Sequence, residues 1–235
     1  MIDITFDFRS DSNGGDPDSK SSTLRSYHRL LWSKDLPCGG KLILNKKLNN
    51  TSDVGDFYFG SDSIIHSFSR WESYKHIIDK IRIEEIEEFR YLGYTMGGMI
   101  IFPRNKINNL QSINMARGCN QKIKDRFDLT LECIRRYYNN EDSPLNKCFR
   151  RYSDFFDLFI NFKGYVDFFL LQDLVNNDYT AINFFHPFIS FEESPLPKTV
   201  EEYLNYKANS INFINNRNER IMEWVRNKMI EVAQL

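Results

Sequence analysis

Asp128 and Glu132 stand four residues apart in KIKDRFDLTLECIRRYY, Lys122 to Tyr138, a spacing that puts both on one face of a helix. Two carboxylates one turn apart suit a metal or a proton transfer. The same strip carries Lys124 and Arg135, so it also reads as a solvated row of ion pairs, each worth well under ~1 kcal/mol. No histidine or third carboxylate adjoins the pair, and the solvated row is the leading reading. Just upstream, NMARGCNQ brings Asn114 and Arg117 to the amino end of that predicted helix. Unsatisfied backbone N–H groups and the positive end of the helix dipole would favour a phosphate or carboxylate there, with Arg117 as its clamp. The alternative is an ordinary cap and turn, eased by Gly118. Of the histidines, His28 follows a polar loop and is read as facing a cleft, whereas His66, His76 and His186 read as structural. The catalytic candidates are therefore His28, Asp128 and Glu132, and the ligand-binding candidates are Arg9, Asn114 and Arg117. Asp11, Asn13, Asp16 and Asp18 loosely match a calcium loop, but the glycine and terminal glutamate are misplaced, and a flexible lid is the preferred reading.

Those residues need elements to hold them. DITFDFRSD alternates apolar Ile4, Phe6 and Phe8 with polar neighbours, which predicts a half-buried strand ending at Arg9. The polar SDSNGGDPDSKSS predicts a mobile surface loop. Ser22 or Thr23 would then cap a helix to about Lys34, with Leu24, Tyr27, Leu31 and His28 inward. PCGGKLIL predicts a turn and short strand, FYFGS a second strand, and DSIIHSFSRWESYKHIIDKI a helix before a second, acidic one around EEIEEFRYLG. YTMGGMIIFP reads as a strand, with Gly97 and Gly98 marking a bulge or the close approach of another backbone or ligand. Phe149 to Val175 predicts two helices parted near NFKGY, and Thr199 with Glu202 a capping box before a long last helix. On the Lys122–Tyr138 helix, Ile123, Phe127, Leu131, Ile134 and Tyr138 form one apolar face while Leu129 and Cys133 lie opposite, so it should be covered on two sides.

The chain has 235 residues, 41% hydrophobic and 15% aromatic, enough to bury a large core. Lys plus Arg is 31 against 32 Asp plus Glu, a net charge of -1 that argues against nucleic acid or an acidic membrane as a partner. Cys38, Cys119, Cys133 and Cys148 have no CxxC spacing and no apolar leader before them, so reduced, buried thiols in a cytoplasmic protein are expected. The most apolar stretch, Phe155 to Val175, is interrupted by Asp157, Lys163, Asp167 and Asp173 and reads as core rather than a membrane span. The common phosphate-loop, dinucleotide, zinc-protease and serine-nucleophile motifs are absent, and no cofactor is identified.

Arg9, then Ser61 and Ser63, then Glu85, Glu87 and Glu88 resemble in order the Arg, Ser-x-Ser, Glu-x-Glu arrangement of arginine-type ADP-ribosyltransferases. The resemblance implies that Arg9 holds a phosphate of NAD, that the serines support the site, and that the last glutamate stabilises a ribosyl cation or orients the acceptor. It covers the first third of the chain, and here the glutamates read as helical rather than as part of a strand-edge loop. More broadly, FDFRSD, LRSYHRLLWSK, RYLGYTMGGMIIFP, RFDLTLECIRRYY and GYVDFFLLQDLV, in that order, resemble a bacterial protein family of unknown function over nearly the full length. That resemblance implies a free-standing cytoplasmic protein and supplies no activity, cofactor or catalytic residue.

The expected fold is α+β over one globular domain, 1–235: a small, mostly antiparallel sheet packed by helices in residues 1–112, and a mainly helical part, 113–235, with a long terminal helix. The leading function is an enzyme directed at a small molecule or nucleotide, with Arg9, His28 and Arg117 drawn into one pocket and Asp128 and Glu132 nearby. The second is a non-enzymatic interaction or regulatory protein that uses the C-terminal helix as a surface for a second copy of itself or another partner. Nucleic-acid binding by Arg135, Arg136, Arg150 and Arg151 beside Tyr137, Tyr138 and Tyr152 comes third.

Overall fold

The computed structural model describes residues 2–233. Along the chain come α1 (Pro17–Lys20), α2 (Ser22–Trp32), β1 (Phe59–Ser63), α3 (Lys75–Ile78), α4 (Ile83–Gly93), β2 (Met99–Pro103), α5 (Ile113–Cys119), α6 (Phe127–Tyr138), α7 (Asn146–Phe149), α8 (Ser153–Asp157), α9 (Phe162–Phe168) and α10 (Val200–Ala233). This is the expected α+β arrangement. β1 and β2 pair antiparallel, from Phe59 opposite Pro103 to Ser63 opposite Met99. Every residue of β2 is buried, as a continuous apolar run without alternation requires.

The long helix α10 organises the rest. Thr199 Oγ1 accepts the Glu202 N–H at 3.1 Å, and the Glu202 carboxylate reaches back to the Lys198 N–H at 2.6 Å, so Thr199 and Glu202 start the helix as expected, with the return bond one residue before that of a standard capping box. Tyr203, Tyr206, Phe213, Ile214, Ile221 and Val225 bury one side of it. Among them Arg217, also fully buried, donates to four backbone carbonyls: Gly97 at 2.9 Å, Met99 at 2.8 Å, Phe169 at 3.0 Å and Leu170 at 3.2 Å. One guanidinium thus ties α10 to the entrance of β2 and to the exit of α9. Gly97 permits this closeness, since a Cβ there would lie 2.5 Å from the Ile214 carbonyl oxygen. The paired glycines therefore mark the approach of another backbone. The Phe155–Val175 stretch is core, with Phe155, Phe159, Tyr165 and Phe169 packed edge to face or tilted at 4.8–5.4 Å.

Several expectations need correcting. Residues 4–8 form no strand, and turns take 4–5 and 8–10 instead. Asp3 accepts the Thr5 N–H at 2.9 Å and Asp7 accepts the Arg9 N–H at 2.9 Å, and these local bonds displace a ladder. The following loop is built rather than loose: Asp16 caps α1, Ser21 rather than Ser22 or Thr23 caps α2, and Asp11 holds the Thr23 N–H at 3.0 Å. Of the carboxylates that loosely matched a calcium loop, Asp11 and Asp16 are thus used by the chain itself. Residues 64–82 contain only a 3-10 turn and the short α3, because Phe68 adopts a left-handed backbone at φ 54° that no helix continues. Cys133 and Cys148 are buried as expected, but Cys38 and Cys119 are exposed. Among the described residues no helix is long and apolar enough to cross a membrane.

Candidate functional site

Strand β1 sends Ser61 and Asp62 to opposite faces, and each meets a residue that the sequence singled out. On one face, Ser61 Oγ lies 2.9 Å from His28 Nε2, and Asn114 Nδ2 donates to the Ser61 carbonyl at 3.1 Å. Trp32, one turn along α2, donates its indole N–H to His28 Nδ1 at 3.0 Å. An indole nitrogen can only donate, so Nδ1 accepts and the imidazole proton sits on Nε2, donated to Ser61. The dyad therefore runs opposite to a nucleophile and its base. Burial, with Arg217 nearby, pushes the His28 imidazole down to about 3 and keeps it neutral. His28 is fully buried with both nitrogens engaged, so it positions β1 against α2.

On the other face, Asp62 pairs with the fully buried Arg117 of α5. Arg117 also meets Asp125 at 3.2 Å and Thr130 Oγ1 at 3.2 Å, which leaves its guanidinium saturated by the protein's own groups. Its anions are Asp62 and Asp125. Burial, opposed by Arg117, holds Asp62 up at about 6. Asp18 adjoins this cluster; burial and its neighbours Asp62 and Asp16 push its carboxyl to about 8. Asp18 Oδ1 and Asn114 Oδ1 are buried without a hydrogen-bond partner among the described residues.

Asp128 and Glu132 do not join this cluster, nor do they form a wet strip. Asp128 is fully buried, gripped by the equally buried Arg126, and its Oδ2 accepts the Phe185 N–H at 2.9 Å. Arg126 continues to the carbonyls of Pro195 at 2.5 Å and His186 at 2.8 Å, pinning the 185–195 segment to α6. Glu132, 5% exposed, sits between Arg135 at 2.8 Å and Arg136 at 2.7 Å. As predicted, α6 is covered on two sides, and that cover is what dries the charges.

A cavity of about 250 Å³ opens beside the Ser63 end of β1. The chain from Ser63 to Trp71 forms one wall and the end of α4 the other, with His66, Ser67, Ser69, Arg70, Trp71, Arg90 and Tyr94 contributing polar or aromatic surface. Two guanidiniums, hydroxyls and an indole face one space. Arg70 is exposed, and Arg90 bonds Glu87 at 2.5 Å. Arg9 stands over the Tyr94 ring at 5.4 Å, clasps Asp7 at 2.7 Å and approaches Glu87 at 3.8 Å. Of the residues that resembled an ADP-ribosyltransferase, Arg9, Ser63 and Glu87 therefore gather near this cavity, whereas Glu85 pairs with Lys207 at 2.6 Å. Lys124 reaches over Trp71 at 5.8 Å, from a loop where Lys124 and Asp125 take consecutive left-handed conformations at φ 50° and 63°. Such conformations in adjacent non-glycine residues store strain and gather at working sites.

A family model, described as a family of unknown function (DUF6994), matches residues 2–221. The chain belongs to this family. No curated protein and no solved structure matches it. For this DUF6994 member the sequence marks Ser63 of the cavity lining, but it reads His66 as structural and gives Arg70, Trp71, Arg90 and Tyr94 no role. The signal available was the run HSFSRW, which packs His, Ser, Arg and Trp into six residues without a helical period.

Proposed function

We propose that this protein acts on or binds a small phosphorylated molecule of mononucleotide size in the cavity between residues 63–71 and α4. The observation that carries the reading is the convergence of Arg70, Arg90, Trp71 and Tyr94 on one space. Guanidiniums match phosphate oxygens in a fork geometry and aromatic faces take a base or sugar, so the lining suits both halves of a nucleotide. The volume of about 250 Å³ lies just under the ~300–1,000 Å³ of drug-sized sites, which favours a mononucleotide over NAD. A thermal-shift series with mononucleotides, NAD and inorganic phosphate tests it. Ligand at one hundred times its Kd adds about 2.7 kcal/mol, a rise of several degrees in melting temperature. The expected result is a rise with a mononucleotide that is lost in Arg70→Ala; no rise with any ligand, or an equal rise in the variant, removes the basis.

The second reading is an interaction protein. Its specific support is the exposed pair Met229 and Ile230, 54% and 56% accessible, near the end of α10.

A further inference from the structure

His66 lines the cavity, and its ring is held on several sides. The ring stacks on Phe68 at 4.8 Å with the planes 29° apart, and lies 5.3 Å from Trp71. Its backbone is anchored to α10, where the Tyr206 hydroxyl donates to the His66 carbonyl at 3.0 Å. Nδ1 accepts the Phe68 N–H at 2.9 Å, a bond made available by the left-handed turn at Phe68. An imidazole whose Nδ1 accepts from an amide carries its single proton on Nε2. The hydrogen bonds of His66 are those of Nδ1 with Phe68 and of its backbone with Tyr206, so Nε2–H has no partner among the described residues.

We propose that His66 is a fixed, uncharged hydrogen-bond donor that presents Nε2–H to a phosphoryl oxygen of a ligand held by Arg70 and Arg90. The inference rests on reading the cavity as a phosphate-recognition site. It differs from the usual histidine contact with an anion, in which an imidazolium binds and affinity falls as the pH rises through about 6.5. Protonating His66 would place a proton on Nδ1 and break the bond from Phe68. Burial lowers the histidine further, and of the charged groups around it Asp125 favours the cation while Arg117 and Arg70 oppose it. Arg90 and Tyr94 face the same space from the α4 side. A neutral donor of this kind recognises an anionic oxygen without itself titrating.

Two measurements on the full chain test this. Long-range proton–nitrogen NMR of the histidine side chains, from pH 5.0 to 8.0 without ligand, is expected to show His66 as the Nε2–H tautomer throughout. A titration near 6.5 or an Nδ1–H tautomer overturns the assignment and leaves the cavity reading standing. The second measurement follows sulfate, whose charge is constant over this range, in wild type, Arg70→Ala and His66→Asn. Asparagine places Oδ1 where Nδ1 was and keeps the Phe68 bond, but it cannot reach as Nε2 does. Wild-type affinity is expected to change less than about twofold between pH 5.5 and 7.5 and to fall about tenfold in each variant. Affinity that drops tenfold with rising pH, or that His66→Asn leaves unchanged, overturns the role of His66. Absence of binding by both sulfate and adenosine monophosphate removes the cavity reading and the phosphoryl contact with it, whatever the tautomer.

Discussion

Asp128 separates two accounts of the same charges. As part of a solvated strip its removal would cost well under ~1 kcal/mol, but its partner Arg126 is 1% exposed and would be left buried and unpaired. Asp128→Ala is expected to lower the unfolding free energy by about 3 kcal/mol or more in urea titration. Glu132→Ala should cost less, because Arg135 keeps Glu141 at 3.0 Å. A loss under ~1 kcal/mol at Asp128 would return that residue to the surface. Asp18 adds a pH dependence of definite sign. Its carboxyl, held at about 8 by burial beside Asp62 and Asp16, keeps a proton that the unfolded chain releases near 4. The stability it contributes is complete below about pH 4 and is lost as the pH rises through about 8. Asp18→Asn cannot ionise, so between pH 5 and 8 its urea midpoint should decline less steeply than that of wild type. Parallel curves would mean that Asp18 is ionised in the folded protein.

At the scale of elements, the junction of β2 with α10 bears the load. Gly97 faces the Ile214 carbonyl at a distance no Cβ tolerates, and its N–H donates to Asn218 Oδ1 at 2.7 Å. Gly97→Ala must push α10 off the strand, at an expected cost of about 1–3 kcal/mol. Gly118 in α5 is the control, since a Cβ there meets nothing closer than the Asp125 carboxylate at 3.9 Å. Gly118→Ala should be neutral or stabilise by about 0.5–1 kcal/mol, as alanine does in a helix. Equal behaviour of the two variants in denaturant would remove the steric account. The short elements around the cavity follow from the same kind of local reasoning. A left-handed Phe68 ends any helix, frees its amide for His66 and sets the wall of the cavity.

For the whole molecule, α10 is scaffold before it is surface. Among the described residues the last one that is deeply buried in it is Val225, and residues 226–231 are exposed. A chain ending at Arg226 should melt within a degree or two of the full chain. One ending at Tyr206 loses Phe213, Ile214, Arg217 and Ile221 from the core and should not fold, so it cannot test self-association. Sedimentation of the shorter truncation does test it: a dimer abolished there, with melting intact, would move weight to the interaction reading. The sequence by itself determined the elements whose causes are local. The apolar run of β2, the Thr199–Glu202 cap, the glycine pair and the doubly apolar α6 all follow from periodicity and side-chain chemistry within a few residues. It also marked Arg9, His28, Asn114 and Arg117, of which the last three meet at β1. Only the tertiary structure decided what those residues do. Whether Arg117 clamps a ligand or Asp62, and whether His28 is a base or a donor to Ser61, depends on partners tens of residues away and on exclusion of water. Burial turned Asp128 from a wet charge into a clamp, and the folding of 63–71 against α4 made a cavity from residues that carry no pattern, because convergence in space leaves no period in the chain.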